Sequence, residues 1–227
     1  MIKCRMPRIF ASFLTIRKNR TARKANNPNT FFPLFLILIS LSSCHKTINN
    51  LSVIEWKTEK FTPSLITNGR LAVLPVGQSE GISSETKWLG TELAKDLASD
   101  FGKSQIVGPD VVSGYLKDPS VAEILKNLKK KSAPDTVRGI VGLSPLGQKL
   151  HVRYLLQTDL RLSEVSGGAE HVRLFGRIWD TEDDEIIWTG YGEARGYVYM
   201  FFPAVPASFE KDAAVAVKGL VKEIERR

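Results

Sequence analysis

The sequence predicts an α+β fold, in which a mixed sheet ends in a three-stranded antiparallel meander and helices pack on the sheet. Short apolar runs at 71–76 and 105–107 are bounded by turn residues, which is typical of buried strands. Between them, apolar residues recur every four positions, as in an amphipathic helix. Three later segments between 152 and 195 are separated by short turns, and such segments form meanders. Helices on one sheet face complete the α+β architecture.

The first half of the predicted domain begins at Arg70 with the apolar strand. A helix follows over 85–101, with Leu89, Leu93 and Leu97 on one face. After the second strand come three predicted helical segments; Pro119 separates the first two, and the third is interrupted around Pro145. These segments span 110–116, 120–131 and 135–149.

The second half holds the meander and a closing helix. In the long strand 152–162, apolar residues share one parity and polar residues the other, so we expect one dry face and one wet face. The strands at 171–180 and 186–195 follow it, joined by an acidic turn. Apolar residues at helical spacing from 208 to 225 predict a helix that packs on the sheet.

The N-terminal 43 residues differ from the rest in charge. The chain has 32 basic and 24 acidic side chains; residues 1–43 contain eight of the basic ones and no acidic one. The remainder is therefore neutral, which argues against a nucleic-acid partner. A cationic leader is instead attracted to the anionic cytoplasmic face of a membrane.

The end of this leader predicts a lipid anchor. The apolar run 31–39 is shorter than the roughly 20 residues that a transmembrane helix needs. It is followed by Leu41-Ser42-Ser43-Cys44, which resembles the lipobox of bacterial lipoproteins. We interpret 1–43 as a signal peptide and Cys44 as the lipidation site, carrying acyl chains such as palmitate. The alternative is an uncleaved signal anchor with an incidental cysteine.

The remaining chain divides into a tether and one domain. Residues 44–69 show little periodicity and predict a lipidated tether, with Ile54 and Trp56 available to pack along the domain. Residues 70–227 predict a single periplasmic domain. The only other cysteine, Cys4, lies in the leader, so the mature chain has no disulfide or thiolate metal site.

Several segments resemble a known lipoprotein group. They are Leu71-Ala72-Val73-Leu74-Pro75, Ile106-Val107-Gly108-Pro109, Val152-Arg153-Tyr154-Leu155-Leu156, Val172-Arg173-Leu174-Phe175 and Glu185-Ile186-Ile187-Trp188-Thr189-Gly190. Their order resembles the curli-secretion-channel-like lipoproteins, the TolB amino-terminal domain and the lipoprotein activators of penicillin-binding proteins. The resemblance implies a periplasmic α+β domain. Asp183-Asp184 replaces the expected hairpin glycine, and no pair of long alternating segments could form the membrane hairpins of a channel.

Chemistry-bearing residues do not form a recognisable catalytic set. The acidic turn contains Asp180, Glu182, Asp183, Asp184 and Glu185, which could hold calcium but lack the spacing of an EF-hand. A solvated hairpin tip is the alternative interpretation. We expect no metal, no cofactor and no enzymatic activity, since there is also no Gly-x-Ser-x-Gly elbow.

Two other residue types are candidate ligands. The histidines lack metal-site spacing; they are His45, His151 and His171. A lysine run could bind anionic headgroups or form a solvated helix face; it comprises Lys126, Lys129, Lys130 and Lys131.

The aromatic segment 196–206 is the candidate contact surface. Two prolines bar it from a central strand or a helix, so it is either a loop folded over the core or an exposed patch for a protein or the membrane. Aromatic residues and methionine are enriched in interface cores. The candidate contact residues are Tyr197, Tyr199, Met200, Phe201, Phe202 and Val205.

The sequence thus predicts a lipid-anchored envelope lipoprotein that acts as a non-enzymatic binding or assembly factor. Its expected partners are the membrane, through the lipid, and an envelope protein or a second copy. His45 rather than aspartate follows Cys44, which by resemblance to enteric lipoproteins favours the periplasmic face of the outer membrane. The alternative functions are a homo-oligomeric secretion-channel or scaffold component of the curli-channel type, and an envelope hydrolase.

Overall fold

The computed structural model describes residues 45–78, 86–130, 142–166, 169–199 and 205–226. All of them belong to one compact unit, and their strands form one mixed, open sheet. The strands are β1 (His45–Asn50), β2 (Val53–Lys57), β3 (Leu71–Val73), β4 (Gly77–Gln78), β5 (Ile106–Val107), β6 (Tyr154–Ser166), β7 (Ala169–Asp180), β8 (Glu185–Tyr199) and β9 (Val205–Pro206). The main strand order is β1-β8-β7-β6-β3-β5; β2 and β9 pair with β8, and β4 pairs with β6.

Helices pack on this sheet, so the predicted α+β class is confirmed. The α-helices are α1 (Ser64–Gly69), α2 (Lys87–Phe101), α3 (Pro109–Gly114), α4 (Pro119–Lys130), α5 (Ser144–Leu150) and α6 (Phe209–Glu225). Short 3-10 helices follow α2 and α3, at Lys103–Gln105 and Tyr115–Lys117. None of the helices in these ranges is both long enough and apolar enough to cross a membrane.

The predicted meander is the centre of the sheet. β6, β7 and β8 pair antiparallel in sequence order, with Leu156 opposite Ile178 and Ile178 opposite Trp188. β3 joins β6 and β5 in parallel, which makes the sheet mixed. The observed boundaries of the elements differ from the predicted ones by a few residues, as is usual at helix ends. Of the predicted helix over 135–149, residues 144–149 lie within α5, and 131–141 lie outside the described residues.

Helices cover both faces of the sheet. One core packs α2 and α6 against β-strand residues such as Val73, Leu156 and Ile178. The other packs α3, α4 and α5 against the opposite face, where Leu155 and Trp179 point. Each strand side chain therefore meets a helix on whichever face it points to.

The prediction that one face of β6 is exposed to solvent is therefore wrong for the first half of the strand. Gln157 and Asp159 are buried, because α4 lies over this face. Burial of a polar side chain requires hydrogen-bond partners. Gln157 has them: its Nε2 donates to the Leu128 carbonyl (3.4 Å), and its Oε1 accepts from Trp179 Nε1 (3.2 Å).

The segment 45–69 also differs from the predicted tether. β1 and β2 pair antiparallel with β8, and α1 follows them. Backbone hydrogen bonds continue this pairing, from Leu51 N to the Glu193 carbonyl (2.8 Å) and from Thr58 N to the Ile187 carbonyl (3.0 Å). Edge pairing of this kind uses backbone groups, so it leaves no side-chain periodicity in the sequence.

Close contact between α6 and β8 depends on glycine. A Cβ atom on Gly192 would collide with the carbonyl oxygen of Ala216 and would lie 2.8 Å from the Cβ of Leu220. Both of those residues are fully buried in α6. Only glycine therefore permits the helix backbone to approach the strand this closely.

Candidate functional site

The predicted contact segment lies at the end of the sheet where β8 and β9 meet. Tyr197 and Tyr199 are among the last residues of β8, Val205 begins β9, and Tyr197 pairs with Pro206. The segment 196–206 is thus partly strand, since a proline is tolerated in a short marginal strand such as β9. Four predicted site residues lie outside the described part of the chain: Cys44, Met200, Phe201 and Phe202.

The first described residue lies at the same end of the sheet. β1 runs along β8 in six antiparallel pairs, from His45 with Tyr199 to Asn50 with Ala194. Successive Cα atoms are about 3.8 Å apart. The residue that directly follows the predicted lipidated cysteine is therefore held beside the aromatic end of β8.

Described side chains at this end combine apolar and basic character. Val165, the next-to-last residue of β6, is 62% exposed and pairs with Glu170 of β7. The Arg195 guanidinium lies 5.9 Å from the centre of the Tyr197 ring, and Arg195 Nη2 donates to the Ser166 carbonyl (3.3 Å). Aromatic, aliphatic and basic side chains together are typical of a membrane interface.

Arginine and aromatic side chains form a cluster on one face of β6, β7 and β8. Its members are Arg161, Phe175, Arg177 and Tyr191. Two guanidinium groups lie close to the Phe175 ring, with Arg161 3.8 Å and Arg177 4.8 Å from its centre. Arg161 Nη1 also donates to the Tyr191 hydroxyl (3.3 Å). Burial lowers the pKa of Arg177, which nearby Asp159 opposes. These cation–π contacts stabilise the sheet face, because they shield Phe175 from water.

Glu193 joins two basic residues across β7 and β8. It accepts hydrogen bonds from Arg173 Nε (2.7 Å) and lies 2.8 Å from His171 Nε2. Burial by itself would raise the pKa of Glu193, but the hydrogen bonds from Arg173 and His171 outweigh burial and leave the pKa lowered. Glu193 is thus held as a carboxylate in a structural ion pair, which does not suit a general acid.

The acidic hairpin between β7 and β8 is used to hold neighbouring segments. Asp184 accepts backbone hydrogen bonds from Gly142 (3.1 Å) and Leu143 (2.8 Å), just before α5. Asp180 pairs with Arg153, whose Nη2 lies 2.9 Å from its carboxylate. Sequence reasoning missed both roles, because their partners lie about 27 to 42 residues away. Among the described residues, no three His, Cys, Asp or Glu side chains are grouped as metal ligands.

The candidate histidines and lysines lie in different parts of the fold. His151 is exposed after α5, and its positive φ of 52° ends that helix. His171 belongs to the Glu193 ion pair described above. Lys126 is exposed on α4, while Lys131 lies outside the described residues.

Exposed apolar residues form a feature that sequence reasoning did not single out as a candidate site. Leu51, Val53 and Trp56 are exposed around β2, and Val111 and Tyr115 are exposed at α3 and the following 3-10 turn. Periodicity distinguishes helix from strand, but it does not tell which face lacks a partner.

No family model and no curated protein matches this chain. Among solved structures, the PelC dodecamer from Paraburkholderia phytofirmans is 9% identical with a TM-score of 0.45, covering 81% of this chain and 99% of that one. Lipoprotein GNA1162 from Neisseria meningitidis is 16% identical, with a TM-score of 0.40 and coverage of 56% and 83%. The LpoB C-terminal domain from Salmonella enterica is 15% identical, with a TM-score of 0.33 and coverage of 58% and 93%. The chain is similar to these structures in the outline of its fold.

Proposed function

We propose that this chain is a lipid-anchored lipoprotein of the bacterial envelope, which faces the periplasm from the outer membrane and acts as a non-enzymatic binding or assembly factor. The observation that carries the proposal is the pairing of His45 with Tyr199. This pairing brings the predicted anchor and the predicted contact segment, which are about 150 residues apart in sequence, to one end of the sheet.

The anchor position determines how the domain meets the bilayer. Acyl chains on Cys44 would enter the lipid, and His45 follows that residue directly in the chain. Because six consecutive pairs fix β1 to β8, little free chain separates the anchor from the domain. The end of the sheet that holds Tyr199 therefore faces the lipid surface.

The sequence at this end suits that environment. Tyr197, Tyr199 and Val205 lie in strands there, and 200–202 is Met-Phe-Phe. Tyrosine is enriched at membrane–water interfaces, where its ring contacts acyl chains and its hydroxyl reaches water. The membrane is thus the first partner of this surface.

A non-enzymatic role is supported by the way the ionisable side chains are used. Asp180 pairs with Arg153, Asp184 binds the backbone before α5, and Glu193 pairs with Arg173. Catalytic carboxylates are instead held with a pKa matched to proton transfer, in a cleft that substrate can reach.

Replacing Cys44 tests the anchor. In cells that make the full chain, Cys44→Ala is expected to abolish palmitate incorporation and to leave the longer precursor, because only the thiol can carry the first lipid. Radiolabelled palmitate and gel mobility provide the readout. Cys4→Ala is the matched control and should be labelled and processed like the unaltered chain. Normal labelling of Cys44→Ala would overturn the proposal.

The orientation is tested by photo-crosslinking in the lipidated full chain. A benzophenone amino acid at Tyr199 is expected to form adducts with phospholipid, detected by mass spectrometry. At Asp183, in the turn before β8, it should form none, since fourteen strand steps place that end on the order of 45 Å away. Protein adducts without lipid adducts at Tyr199 would contradict the membrane contact and identify a protein partner instead.

A further inference from the structure

His171 in β7 lies between two carboxylates that belong to the neighbouring strands. It is the strand partner of Glu164 in β6, and its Nδ1 lies 3.9 Å from Glu164 Oε1. Its other ring nitrogen, Nε2, lies 2.8 Å from Oε1 of Glu193 in β8. Because the His171 side chain is only 16% exposed, the surrounding strands hold the ring in place. One histidine therefore connects all three strands of the meander.

The protonation state of the ring decides whether both of these contacts can be hydrogen bonds. A neutral imidazole carries a proton on only one of its nitrogens. When that proton is on Nε2, the ring donates to Glu193, and the lone pair of Nδ1 faces the negative carboxylate of Glu164. At 3.9 Å this second contact is longer than a hydrogen bond. A protonated ring donates from both nitrogens, so it can bind both carboxylates at once.

Charged groups from all three strands surround the ring. Burial by itself would raise the pKa of Glu193, but hydrogen bonds from Arg173 and His171 lower it, so Glu193 is a carboxylate throughout the range in which histidine titrates. Arg195 of β8 is the strand partner of His171 and opposes a further positive charge, as Arg173 does. These two arginines are balanced by Glu193 and by Glu164 of β6. Protonation of His171 therefore changes the hydrogen bonding of the ring and leaves both carboxylates with a cationic neighbour.

The histidine lies near the end of the hairpin that β6 and β7 form. Glu164 is two residues before the end of β6, and the next residue, Val165, is 62% exposed. Arg195 Nη2 donates to the Ser166 carbonyl (3.3 Å), and this bond does not depend on pH, because arginine stays charged. The contact between His171 and Glu164 is thus the part of the hairpin attachment that a proton can add or remove.

We propose that His171, Glu164 and Glu193 form a pH-sensitive clasp, which fixes the end of the β6–β7 hairpin to β8 when the His171 ring is protonated. An imidazole ordinarily changes its charge between about pH 5 and pH 8, so the clasp closes on mild acidification. Closure adds a charge-assisted hydrogen bond between β6 and β7 and holds Val165 in a fixed position. That Val165 then faces the lipid surface rests on the proposed orientation of the domain, whereas the clasp itself does not.

Solution NMR of the detergent-solubilised full chain tests the clasp between about pH 8 and about pH 5.5, the range in which histidine titrates. The ring signals of His171, identified by their loss in His171→Gln, are expected to titrate. The backbone amide signal of Val165, identified by its loss in Val165→Ser, is expected to shift with the same midpoint. A His171 ring that keeps one charge throughout this range, or a Val165 amide that does not follow the ring, would overturn the proposal.

Glu164→Ala removes the second acceptor and separates the clasp from a general effect of pH. In this variant the His171 ring should still titrate, but the Val165 amide should no longer follow it. Glu210→Ala is the matched control and should retain the coupling, because Glu210 is an exposed acid at the start of α6, which packs on the opposite face of the sheet.

If the Val165 amide still followed the ring in Glu164→Ala, Glu164 would not be the group that His171 binds, and the clasp would be wrong. Loss of the coupling in Glu210→Ala as well would show that it is not specific to Glu164, with the same consequence. The lipid anchor and the membrane contact are tested separately, by palmitate labelling and by crosslinking at Tyr199.

Discussion

Gly192→Val is expected to destabilise the domain by about 3 kcal/mol or more, toward the upper end of what overpacking costs. The new side chain would meet the backbone of α6 at Ala216 rather than a flexible side chain. The helix can relieve this contact only by moving away from β8. Such a movement would expose Val217 and Leu220, which are fully buried against the sheet.

Urea unfolding followed by circular dichroism measures this loss, as a lower denaturation midpoint or as complete unfolding in buffer. Gly114→Ala is the control, because nothing lies within 4 Å of a Cβ atom at that helical position. It should leave the stability unchanged or raise it by up to about 1 kcal/mol, since alanine restricts the unfolded chain. An unchanged midpoint for Gly192→Val would show that α6 does not pack this closely on β8.

Trp188→Ala is expected to cost about 3–5 kcal/mol, the usual range for removing a buried tryptophan. The indole is fully buried in the core between the sheet, α2 and α6, and its ring centre lies 6.4 Å from that of Phe61. It packs across Gly190, where a Cβ atom would lie 2.7 Å from the ring. A rigid site of this kind collapses poorly around a cavity, so most of the lost contact energy is not recovered.

The same unfolding assay measures this effect, and Trp188→Phe serves as its control. Phenylalanine keeps an aromatic ring in the site, so we expect it to retain well over half of the stability that alanine loses. Equal losses for the two variants would mean that the indole itself, rather than its packing volume, stabilises the domain.

Local patterns predicted the elements with strong periodicity. The strand at Leu71, the helix that includes Leu93 and the closing helix that includes Leu220 each carry the apolar spacing of their secondary structure. The three meander strands were also predicted, since consecutive strands with short turns pair with one another. For the contact segment, the sequence singled out Tyr197 and Tyr199 as part of either a loop over the core or an exposed patch, and it did not predict that they end the strand β8.

These local patterns do not predict pairing between segments that are distant in the sequence. β1 and β2 were interpreted as a tether, because a short edge strand is held through its backbone and needs no alternation. Burial of Gln157 followed from a helix that packs on the second sheet face, which the polar parity of β6 gave no reason to expect. Likewise, no local spacing connects Asp184 with Leu143.

The amino-acid sequence by itself determined the strongly periodic elements from Leu71 onward, the charge difference between residues 1–43 and the rest of the chain, and the resemblance of 41–44 to a lipobox, because each depends on residues close together in the chain. Only the tertiary structure decided that His45 lies beside Tyr199 and that β2 pairs with β8. Those placements arise from backbone hydrogen bonds and helix packing between distant segments. Because such interactions depend on the fold of the whole chain, they cannot be predicted from any short segment of the sequence.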